Sequence, residues 1–298
     1  MKLTGLHLLL TYQCTFECEH CFVWGSPHQS GVMNLEQLHE ILRQAREIEG
    51  LDWIYFEGGE PFLYYPILLR GVQMATAMGF QVGIVSNAYW ATTPADALAW
   101  LRPFADLIED LTISSDLYHY SETNLQLALN AAAAASELNI PLGTINVAQP
   151  EESEAALAVG QIPGGASAVM FRGRAASKLV SRAAHRQAWN TYNTCLNEDL
   201  REPGRAHLDP LGNVHICQGI SIGNVFERPL KEICESYYAE AHPICGPLLK
   251  GGPAALVDEY DLPHEAAYAD ACHLCYECRL ALRERFPAVL TPHQMYGV

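Results

Sequence analysis

The sequence predicts an α/β fold with a parallel sheet, arranged as an open doubly wound sheet or as a full or partial barrel, and a smaller cysteine-rich region behind it. Short apolar, β-rich runs alternate with amphipathic helical stretches up to about residue 175, and this alternation is typical of parallel sheets covered by helices. Of the ten cysteines, three lie in residues 14–21 and seven lie between Cys195 and Cys278. The chain therefore divides into two regions of different character.

Six strands and the helices between them account for the first region. Strands are predicted at 6–11, 53–56, 80–85, 107–114, 140–147 and 166–171. Asn34 can cap a helix with Gln37 three residues on, and Thr93 followed by Pro94 is a typical start for another helix. Further helices are predicted after the second strand as far as residue 79, over 121–139, where Ser121 opens the helix, and near 152–160.

Polar and glycine residues stand where each predicted strand ends. In barrels the chemistry gathers at the carboxyl edge of the strands, so these residues are expected to meet. In chain order they are Cys14, Cys18 and Cys21; Glu57, Gly58, Gly59, Glu60 and Pro61; Ser86 and Asn87; Ser114, Ser115 and Asp116; Gln149; and Arg172 and Arg174. The sequence therefore predicts one active-site mouth that draws on all six strands.

The composition excludes some classes of function. The 298 residues carry 34 acidic and 18 basic side chains, for a net charge of −16, whereas nucleic-acid binding requires a basic surface that neutralises phosphates. No apolar run is long enough to span a bilayer, and the opening segment lacks the features of a signal peptide. We therefore expect neither nucleic acid nor a membrane as a partner. Ten cysteines without an export signal predict the reducing cytoplasm, where clustered cysteines more often hold metal than form disulfides.

Cys14, Cys18 and Cys21 place three thiolates on one short loop after the first strand. Iron–sulfur clusters are normally held by four cysteine thiolates. Three protein ligands leave one iron open, and an open position distinguishes a catalytic metal from a structural one. A zinc site and a chance spacing are the alternatives that this motif leaves open by itself.

A second motif follows after one helix. The segment 14–21 together with Gly58-Gly59-Glu60-Pro61 closely resembles the signature of the radical S-adenosylmethionine (radical SAM) superfamily. The resemblance implies a partial (β/α)6, TIM-like barrel over residues 1–185. It implies a 4Fe–4S cluster held by Cys14, Cys18 and Cys21, with SAM on the fourth iron. It also implies reductive cleavage of SAM to a 5′-deoxyadenosyl radical, which abstracts hydrogen from the substrate.

The same resemblance implies ten positions that contact SAM or the substrate. They are His20, Phe22, Gly58, Gly59, Glu60, Pro61, Ser86, Asn87, Asp116 and Arg172. His20 and Phe22 would bracket the adenine, and Ser86 and Asn87 would meet the ribose or methionine portion. The turn at 58–60 would offer acceptors to the SAM ammonium, because glycine lets the backbone approach a ligand closely.

The C-terminal region resembles the SPASM and twitch extensions of radical SAM enzymes, which bind auxiliary 4Fe–4S clusters. It has an early cysteine, a hairpin with Gly-x4-Cys from Gly212 to Cys217, and a late Cys-x2-Cys pair. Gly212 and Asn213 are expected to supply the positive φ values of the hairpin turn. The implied ligands of the auxiliary cluster are Cys195, Cys217, Cys272 and Cys275, with Cys278 as a substitute for Cys275.

One auxiliary cluster is expected in a domain over 186–298, because the last cysteines of a full SPASM pattern are missing. Cys234 and Cys245 are interpreted as ordinary buried thiols. A structural four-cysteine zinc site is the alternative for this region, since such sites have similar spacings.

These observations predict an oxidoreductase-type or peptide-modifying radical SAM enzyme. An auxiliary cluster beside the substrate can accept an electron, which gives dehydrogenation, or can bind a peptide for maturation. The chain starts directly at the first strand, which favours a small-molecule substrate or separately supplied recognition. A one-electron donor such as flavodoxin or ferredoxin is the expected partner. The competing hypothesis is a non-enzymatic zinc or iron–sulfur scaffold protein.

Overall fold

The computed structural model describes residues 1–119, 125–152 and 166–298. Its strands are β1 (Leu3–Thr11), β2 (Trp53–Gly58), β3 (Gln81–Ser86), β4 (Asp110–Ser114), β5 (Leu142–Val147), β6 (Ala166–Ser167), β7 (Gln187–Ala188), β8 (Gly204–Leu208), β9 (Asn213–Cys217), β10 (Ile220–Asn224) and β11 (Ala267–Tyr268). Its α-helices are α1 (Leu35–Ala45), α2 (Tyr65–Ala77), α3 (Pro94–Leu101), α4 (Gln126–Glu137), α5 (Arg174–Lys178), α6 (Leu230–Ser236), α7 (Cys245–Tyr260) and α8 (Ala271–Leu282). None of these helices has the length and apolar character that crossing a membrane requires. Ser121 and nearly all of the helix predicted near 152–160 lie outside the described residues.

One nine-stranded sheet organises the molecule, in the order β10-β9-β8-β1-β2-β3-β4-β5-β6. Strand β8 and strands β1 to β6 run parallel to one another. Strand β9 pairs antiparallel with β8, and β10 pairs antiparallel with β9. The predicted α/β fold with a barrel-like parallel sheet is confirmed. Because parallel strands share a carboxyl edge, the loops that follow β1 to β6 converge on one side of the sheet.

Two helices begin as the sequence predicts. At α1, Asn34 Oδ1 accepts a hydrogen bond from the Gln37 N–H (2.9 Å), and Gln37 Oε1 accepts one from the Asn34 N–H (2.9 Å). At α3, Thr93 Oγ1 accepts from the Asp96 N–H (3.1 Å), and Pro94 occupies the first helical position. These side chains satisfy backbone donors that have no partner inside a helix, and they fix where each preceding loop must turn.

The side chains of β1 alternate between two surroundings, as in any strand. Leu6, Leu8 and Leu10 are fully buried with the helices in the main apolar core. Leu9 instead joins a second core to which α7 and α8 contribute. His7 shares the face of Leu9, so this inner face of the sheet combines apolar and polar side chains.

The C-terminal hairpin belongs to the main sheet. Strand β8 pairs in parallel with β1, with His207 opposite His7, and β9 pairs with β8. This seventh parallel strand is not predicted from the sequence. The sequence predicts a positive φ at both Gly212 and Asn213. Gly212 has a φ of +90°, but the prediction is wrong for Asn213, which already belongs to β9. A side chain at Gly212 would also lie 2.4 Å from Phe226 Cδ2.

Strand β6 is shorter than predicted. It covers Ala166–Ser167, where the sequence predicts a strand over 166–171. The chain turns away at this point, since the Arg172 N–H donates to Met170 O (2.8 Å) and Gly173 has a φ of +60°. The turn brings Arg172 and the start of α5 toward the N-terminal cysteines.

Candidate active site

The three N-terminal cysteines line a cavity of about 280 Å³. Cys14 and Cys18 are buried, Cys21 is half-buried, and all three are free thiols. Backbone hydrogen bonds close their loop, from the Cys14 N–H to Ser26 O (3.0 Å) and from the Cys21 N–H to Cys18 O (3.1 Å). The thiols therefore face one cavity from a loop with a fixed backbone.

The surroundings of these thiols suit a positively charged group. Burial, with smaller contributions from Glu60 and Cys21, raises the pKa of Cys14 to about 12. Burial and the neighbouring thiols also raise the pKa of Cys18 above its ordinary range. Two buried thiols with raised pKa values ionise together only if a cation shares the site, and the iron of a cluster meets this condition.

Hydrogen-bond donors already point at the sulfur atoms. Asn87 Nδ2 lies 3.4 Å and the Phe16 N–H lies 3.5 Å from Cys14 Sγ, and the Gly25 N–H lies 3.2 Å from Cys21 Sγ. Such bonds stabilise thiolate ligands and tune the cluster that they hold. The residues present at this loop therefore fit a SAM-binding 4Fe–4S cluster.

Arg174 holds the cysteine loop from the side of β6. Its buried guanidinium donates to Cys18 O (2.7 Å) and Gly25 O (2.8 Å), and its N–H donates to Cys21 O (3.0 Å). Gly173 is needed beside it, because a side chain there would lie 2.7 Å from Cys21 O. The sequence places Arg174 at a strand end, but no motif marks this positioning role.

The Gly58-Gly59 turn packs directly against the chain that leaves β1. The Gly59 N–H donates to Thr11 O (2.7 Å) and the Glu60 N–H donates to Gln13 O (2.8 Å). A Cβ on Gly58 would lie 2.4 Å from Thr11 O, and one on Gly59 would lie 2.1 Å from Gln13 O. Backbone packing therefore requires glycine here, in addition to the ligand approach that the sequence suggests.

Glu60 is completely buried and braces the end of β3. Its Oε1 accepts hydrogen bonds from the Phe62 N–H and Ser86 Oγ (3.0 Å each), and its Oε2 accepts one from the Asn87 N–H (2.8 Å). Burial raises the pKa of Glu60 to about 7, although these three hydrogen bonds oppose the shift. Ser86 and Asn87 line the cavity, whereas Pro61 begins a short 3-10 helix behind it. The fold thus joins three of the predicted positions, Glu60, Ser86 and Asn87, in one network.

His20, Asp116 and His119 form a polar group beside the cysteines. Asp116 accepts hydrogen bonds from His119 Nδ1 (2.8 Å) and the Val147 N–H (3.2 Å), and its Oδ2 lies 4.0 Å from His20 Nε2. Burial alone would raise the pKa of Asp116, but His119 and His20 hold that pKa below its ordinary value. Burial lowers the pKa of His20 to about 4. The His20 ring is therefore neutral at pH 7, and it packs against Tyr118 at 4.5 Å.

Arg172 stands between this cavity and a second, smaller one, and it lines both. Its buried guanidinium lies over the Phe22 ring at 5.4 Å, and its Nη1 donates to Glu198 Oε1 (3.3 Å) and Cys217 Sγ (3.5 Å). Its Nε has no hydrogen-bond partner among the described residues. The fold therefore places Arg172 beside a C-terminal cysteine as well as beside the N-terminal loop.

Four C-terminal cysteines line the smaller cavity, which has a volume of about 30 Å³. They are Cys195, Cys217, Cys272 and Cys275. Cys272 and Cys275 lie in the first turns of α8, which Asp270 caps, and the partial positive charge of a helix N-terminus favours thiolates there. Cys278 is buried in the neighbouring apolar core and does not line this cavity. The fold thus brings together the four positions that the resemblance implies and leaves Cys278 outside them.

Arg279 is a second buried arginine at these cysteines. Its guanidinium donates to Gln218 O and to Cys275 O. Burial alone would lower its pKa, but Cys275 and the neighbouring Tyr296, Cys217 and Cys272 hold that pKa above its ordinary value. Its position four residues after Cys275 in α8 is the signal that could have marked it, since residues four apart share one helix face.

A three-cysteine loop facing a glycine turn at the carboxyl edge of a parallel barrel defines a class of protein. The family described as the Radical SAM superfamily matches residues 8–158, and the chain belongs to that superfamily. A 4Fe–4S cluster and SAM are therefore its cofactors.

Three proteins illustrate what this chain is similar to. YydG of Bacillus subtilis (strain 168), named for peptide biosynthesis, is 28% identical over 111 residues, which are 37% of this chain and 35% of YydG. The structure of anSMEcpe with bound AdoMet and the Cp18Cys peptide has a TM-score of 0.55 at 12% identity, covering 96% of this chain and 97% of that one. The structure of BtrN in complex with AdoMet and 2-DOIA has a TM-score of 0.52 at 15% identity, covering 79% of this chain and 84% of BtrN. The chain spans about a third of YydG's length, and the two structures share its fold.

Proposed function

We propose that this protein abstracts hydrogen from a substrate held between two cysteine sites and passes an electron from that substrate to the second site. The N-terminal site, in a core over 1–185, consists of Cys14, Cys18 and Cys21. The second site, in a twitch-like domain over 186–298, consists of Cys195, Cys217, Cys272 and Cys275, and would hold one auxiliary 4Fe–4S cluster. The observation that carries this proposal is that Arg172 lines both cavities, so a molecule in the larger cavity lies close to both sites.

When bound and reduced, the cluster and SAM supply a 5′-deoxyadenosyl radical, and an auxiliary cluster supplies an electron acceptor. The protein must hold these groups and keep competing hydrogen donors away. Arg174 would keep the cysteine loop in shape through its bonds to two loop carbonyls. Arg172 and Arg279 would offset the negative charge of the second set of thiolates, since both have a pKa raised by those cysteines against the effect of burial.

The cavity side chains would orient SAM. Gly58 and Gly59 line the cavity, and their backbone carbonyls would accept hydrogen bonds from the SAM ammonium. Ser86 and Asn87 would contact the ribose or methionine portion. Glu60 would act through them, because its carboxylate is already bonded to both residues.

Aromatic residues would bracket the adenine on the other side. His20 and Phe22 both line the cavity, and a neutral imidazole can stack on a base without the cost of burying a charge. Asp116 would orient this group through His119 (2.8 Å), and it would act as a positioning residue for His20.

The net reaction would be oxidation of the substrate or maturation of a peptide. A peptide is supported by the name of YydG and by the Cp18Cys peptide bound to anSMEcpe, whereas 2-DOIA bound to BtrN supports a small molecule. Electrons would come from flavodoxin or ferredoxin. The ten free thiols favour a reducing compartment such as the cytoplasm.

Anaerobic reconstitution with iron and sulfide tests the assignment of the N-terminal site. The reduced wild-type protein should convert SAM to 5′-deoxyadenosine, and Cys18→Ser should reduce that rate to the background of a cluster-free sample. Cys234→Ala is the matched control, because this buried thiol lines neither cavity, and it should keep the wild-type rate. A scaffold protein would produce no 5′-deoxyadenosine in any of the three samples.

A further inference from the structure

A group of two histidines and one glutamate, with no cysteine among its members, lies on the inner face of the sheet. His7 on β1 stands opposite His207 on β8, and Glu57 on β2 pairs with Leu9, two residues further along β1. Side chains two residues apart on a strand share one face. Three neighbouring strands therefore direct these three side chains toward one point.

The distances within this group match those between ligands of one metal ion. Glu57 Oε2 lies 3.3 Å from His7 Nδ1, and Glu57 Oε1 lies 3.1 Å from His207 Nε2. Three ligand atoms, one from each residue, lie within 4.8 Å of one another. Metal–ligand bonds of about 2.1 Å at tetrahedral or octahedral angles put neighbouring ligand atoms roughly 3.0 to 3.4 Å apart.

One oxygen of the Glu57 carboxylate lacks a hydrogen-bond partner among the described residues, whereas the other is bonded to His7. Glu57 Oε1 is buried and receives no hydrogen bond within the described part of the chain, although His207 Nε2 is close enough to give one. The ion pairs of Glu57 in the described chain involve these two imidazoles and no lysine or arginine. A buried carboxylate requires a compensating charge.

The surroundings hold the imidazoles in place. The His7 ring stacks on Tyr55 at 4.7 Å with an interplanar angle of 16°, and the Phe22 ring meets His207 edge to face at 6.0 Å. Ligands fixed on strands bind metal without a large loss of side-chain freedom. Two imidazoles and one carboxylate also leave further coordination positions open for a divalent transition metal.

We propose that His7, Glu57 and His207 bind one divalent transition-metal ion, of the Fe²⁺, Mn²⁺ or Zn²⁺ class, inside the barrel. The ion would supply the positive charge that the buried carboxylate lacks. Glu57 also lines the 280 Å³ cavity, so an open position of the ion would face the space in which the substrate is proposed to lie. An oxygen or nitrogen donor of a substrate would bind there. The metal site itself does not depend on the proposed reaction.

Titration of the reconstituted holoprotein with Mn²⁺ tests the proposal. Free Mn²⁺ has a six-line electron paramagnetic resonance signal that is lost on binding, and Mn²⁺ is suited to a carboxylate ligand rather than to the thiolates of the cluster sites. The wild-type protein should bind one equivalent, which Zn²⁺ should displace. Glu57→Gln and His207→Gln should each weaken binding at least tenfold, and His7→Gln provides a third, independent variant.

Two further variants serve as controls. His39→Gln removes an exposed imidazole from α1 and should bind Mn²⁺ as the wild type does. His119→Gln alters the group formed by His20, Asp116 and His119, and this variant should still bind one equivalent of Mn²⁺. Iron and sulfide contents report whether each variant retains its clusters. The proposal is overturned if the wild type binds neither Mn²⁺ nor Zn²⁺, if the Glu57 and His207 variants bind like the wild type, or if His119→Gln abolishes binding.

Discussion

The carboxyl group of Glu60 has an unusual environment for an ionisable side chain, since it is fully buried and is paired with no cation in the described chain. Its pKa of about 7 lies above the ordinary value of 4.5 because of burial. The folded protein therefore keeps this proton over a pH range in which the unfolded chain has lost it. The stability that this group contributes is fully present below about pH 4.5 and is lost as the pH rises through 7.

Glu60→Gln removes this titration. From pH 5 to pH 8 the wild type should lose about 2.5 kcal/mol of unfolding free energy that the variant does not lose. Unfolding midpoints of both proteins, measured without SAM across this range, check the difference. A constant difference between the two proteins at all pH values would show that Glu60 does not titrate there.

The contacts of Arg174 with the cysteine loop lead to a prediction about how firmly that loop holds iron. Arg174→Ala leaves Cys18 O and Gly25 O without their donors, and each unsatisfied buried acceptor costs about 1 to 3 kcal/mol. We expect the reconstituted variant to lose iron from the N-terminal site faster than the wild type. Arg43→Ala is the control, because its ion pair with Glu40 on α1 is exposed and exposed pairs contribute about 0 to 1 kcal/mol. Equal iron loss in both variants would exclude the positioning role.

Residues of the candidate site divide by how far apart they lie in sequence. Cys14, Cys18 and Cys21 are close together in the chain, so their spacing predicts one cavity. Arg174 acts on residues that only the folded chain brings near, and a single sequence contains no signal for such pairing. Arg279 differs, because its spacing of four residues from Cys275 is visible in the sequence. The expectation that Glu60 meets SAM directly stays a prediction, although its bonds to Ser86 and Asn87 favour an indirect role.

At the scale of elements, the glycine turn after β2 is the most constrained segment of the site. Gly59→Ala would bring a Cβ to 2.1 Å from Gln13 O, and strain of this kind in a packed interior costs about 1 to 3 kcal/mol or more. We expect weaker SAM binding together with lower stability. Gly5→Ala is the matched control in β1, because its Cβ would lie 3.7 Å from the nearest atom, Trp53 Cβ. Equilibrium binding of SAM to both variants measures the effect, and unchanged affinity in Gly59→Ala would contradict it.

Elements with local signals are predictable from the sequence, and elements with distant partners are not. Helices α1 and α3 begin at caps that the sequence shows, because each cap bonds within its own first turn. The pairing of β8 with β1 joins residues about 200 positions apart, so local propensity does not show it. The early end of β6 at Ser167 also depends on distant partners, because the chain after it contacts the cysteine loop.

At the scale of the molecule, a buried network ties the two regions together. Asp209, in the hairpin turn, accepts hydrogen bonds from Tyr12 Oη (2.9 Å) and the Asn213 N–H (2.9 Å), and its Oδ2 lies 3.1 Å from His215 Nε2. Asp209 and His215 are both 0% exposed. The end of β1, which leads to the first cysteine, is therefore held by the segment that carries Cys217.

Asp209→Asn should destabilise both regions together. Hydrogen bonds to a charged group contribute about 1.5 to 3 kcal/mol each, and weakening those that Asp209 accepts should appear as a lower midpoint in one shared unfolding transition. Asp258→Asn, at an exposed position of α7, should leave the midpoint unchanged. Two separate transitions in the Asp209 variant, with only the C-terminal one shifted, would show that the network does not couple the regions.

Iron content and SAM cleavage, measured on the same anaerobic samples, test the central claim most directly. The wild type should hold about eight irons per chain, as expected for two four-iron clusters, and should produce 5′-deoxyadenosine. Replacing Cys14, Cys18 and Cys21 by alanine should leave about four irons and no cleavage, whereas replacing Cys217 and Cys275 should leave about four irons with cleavage retained. Cleavage of SAM by the protein that lacks the three N-terminal thiols would contradict the account.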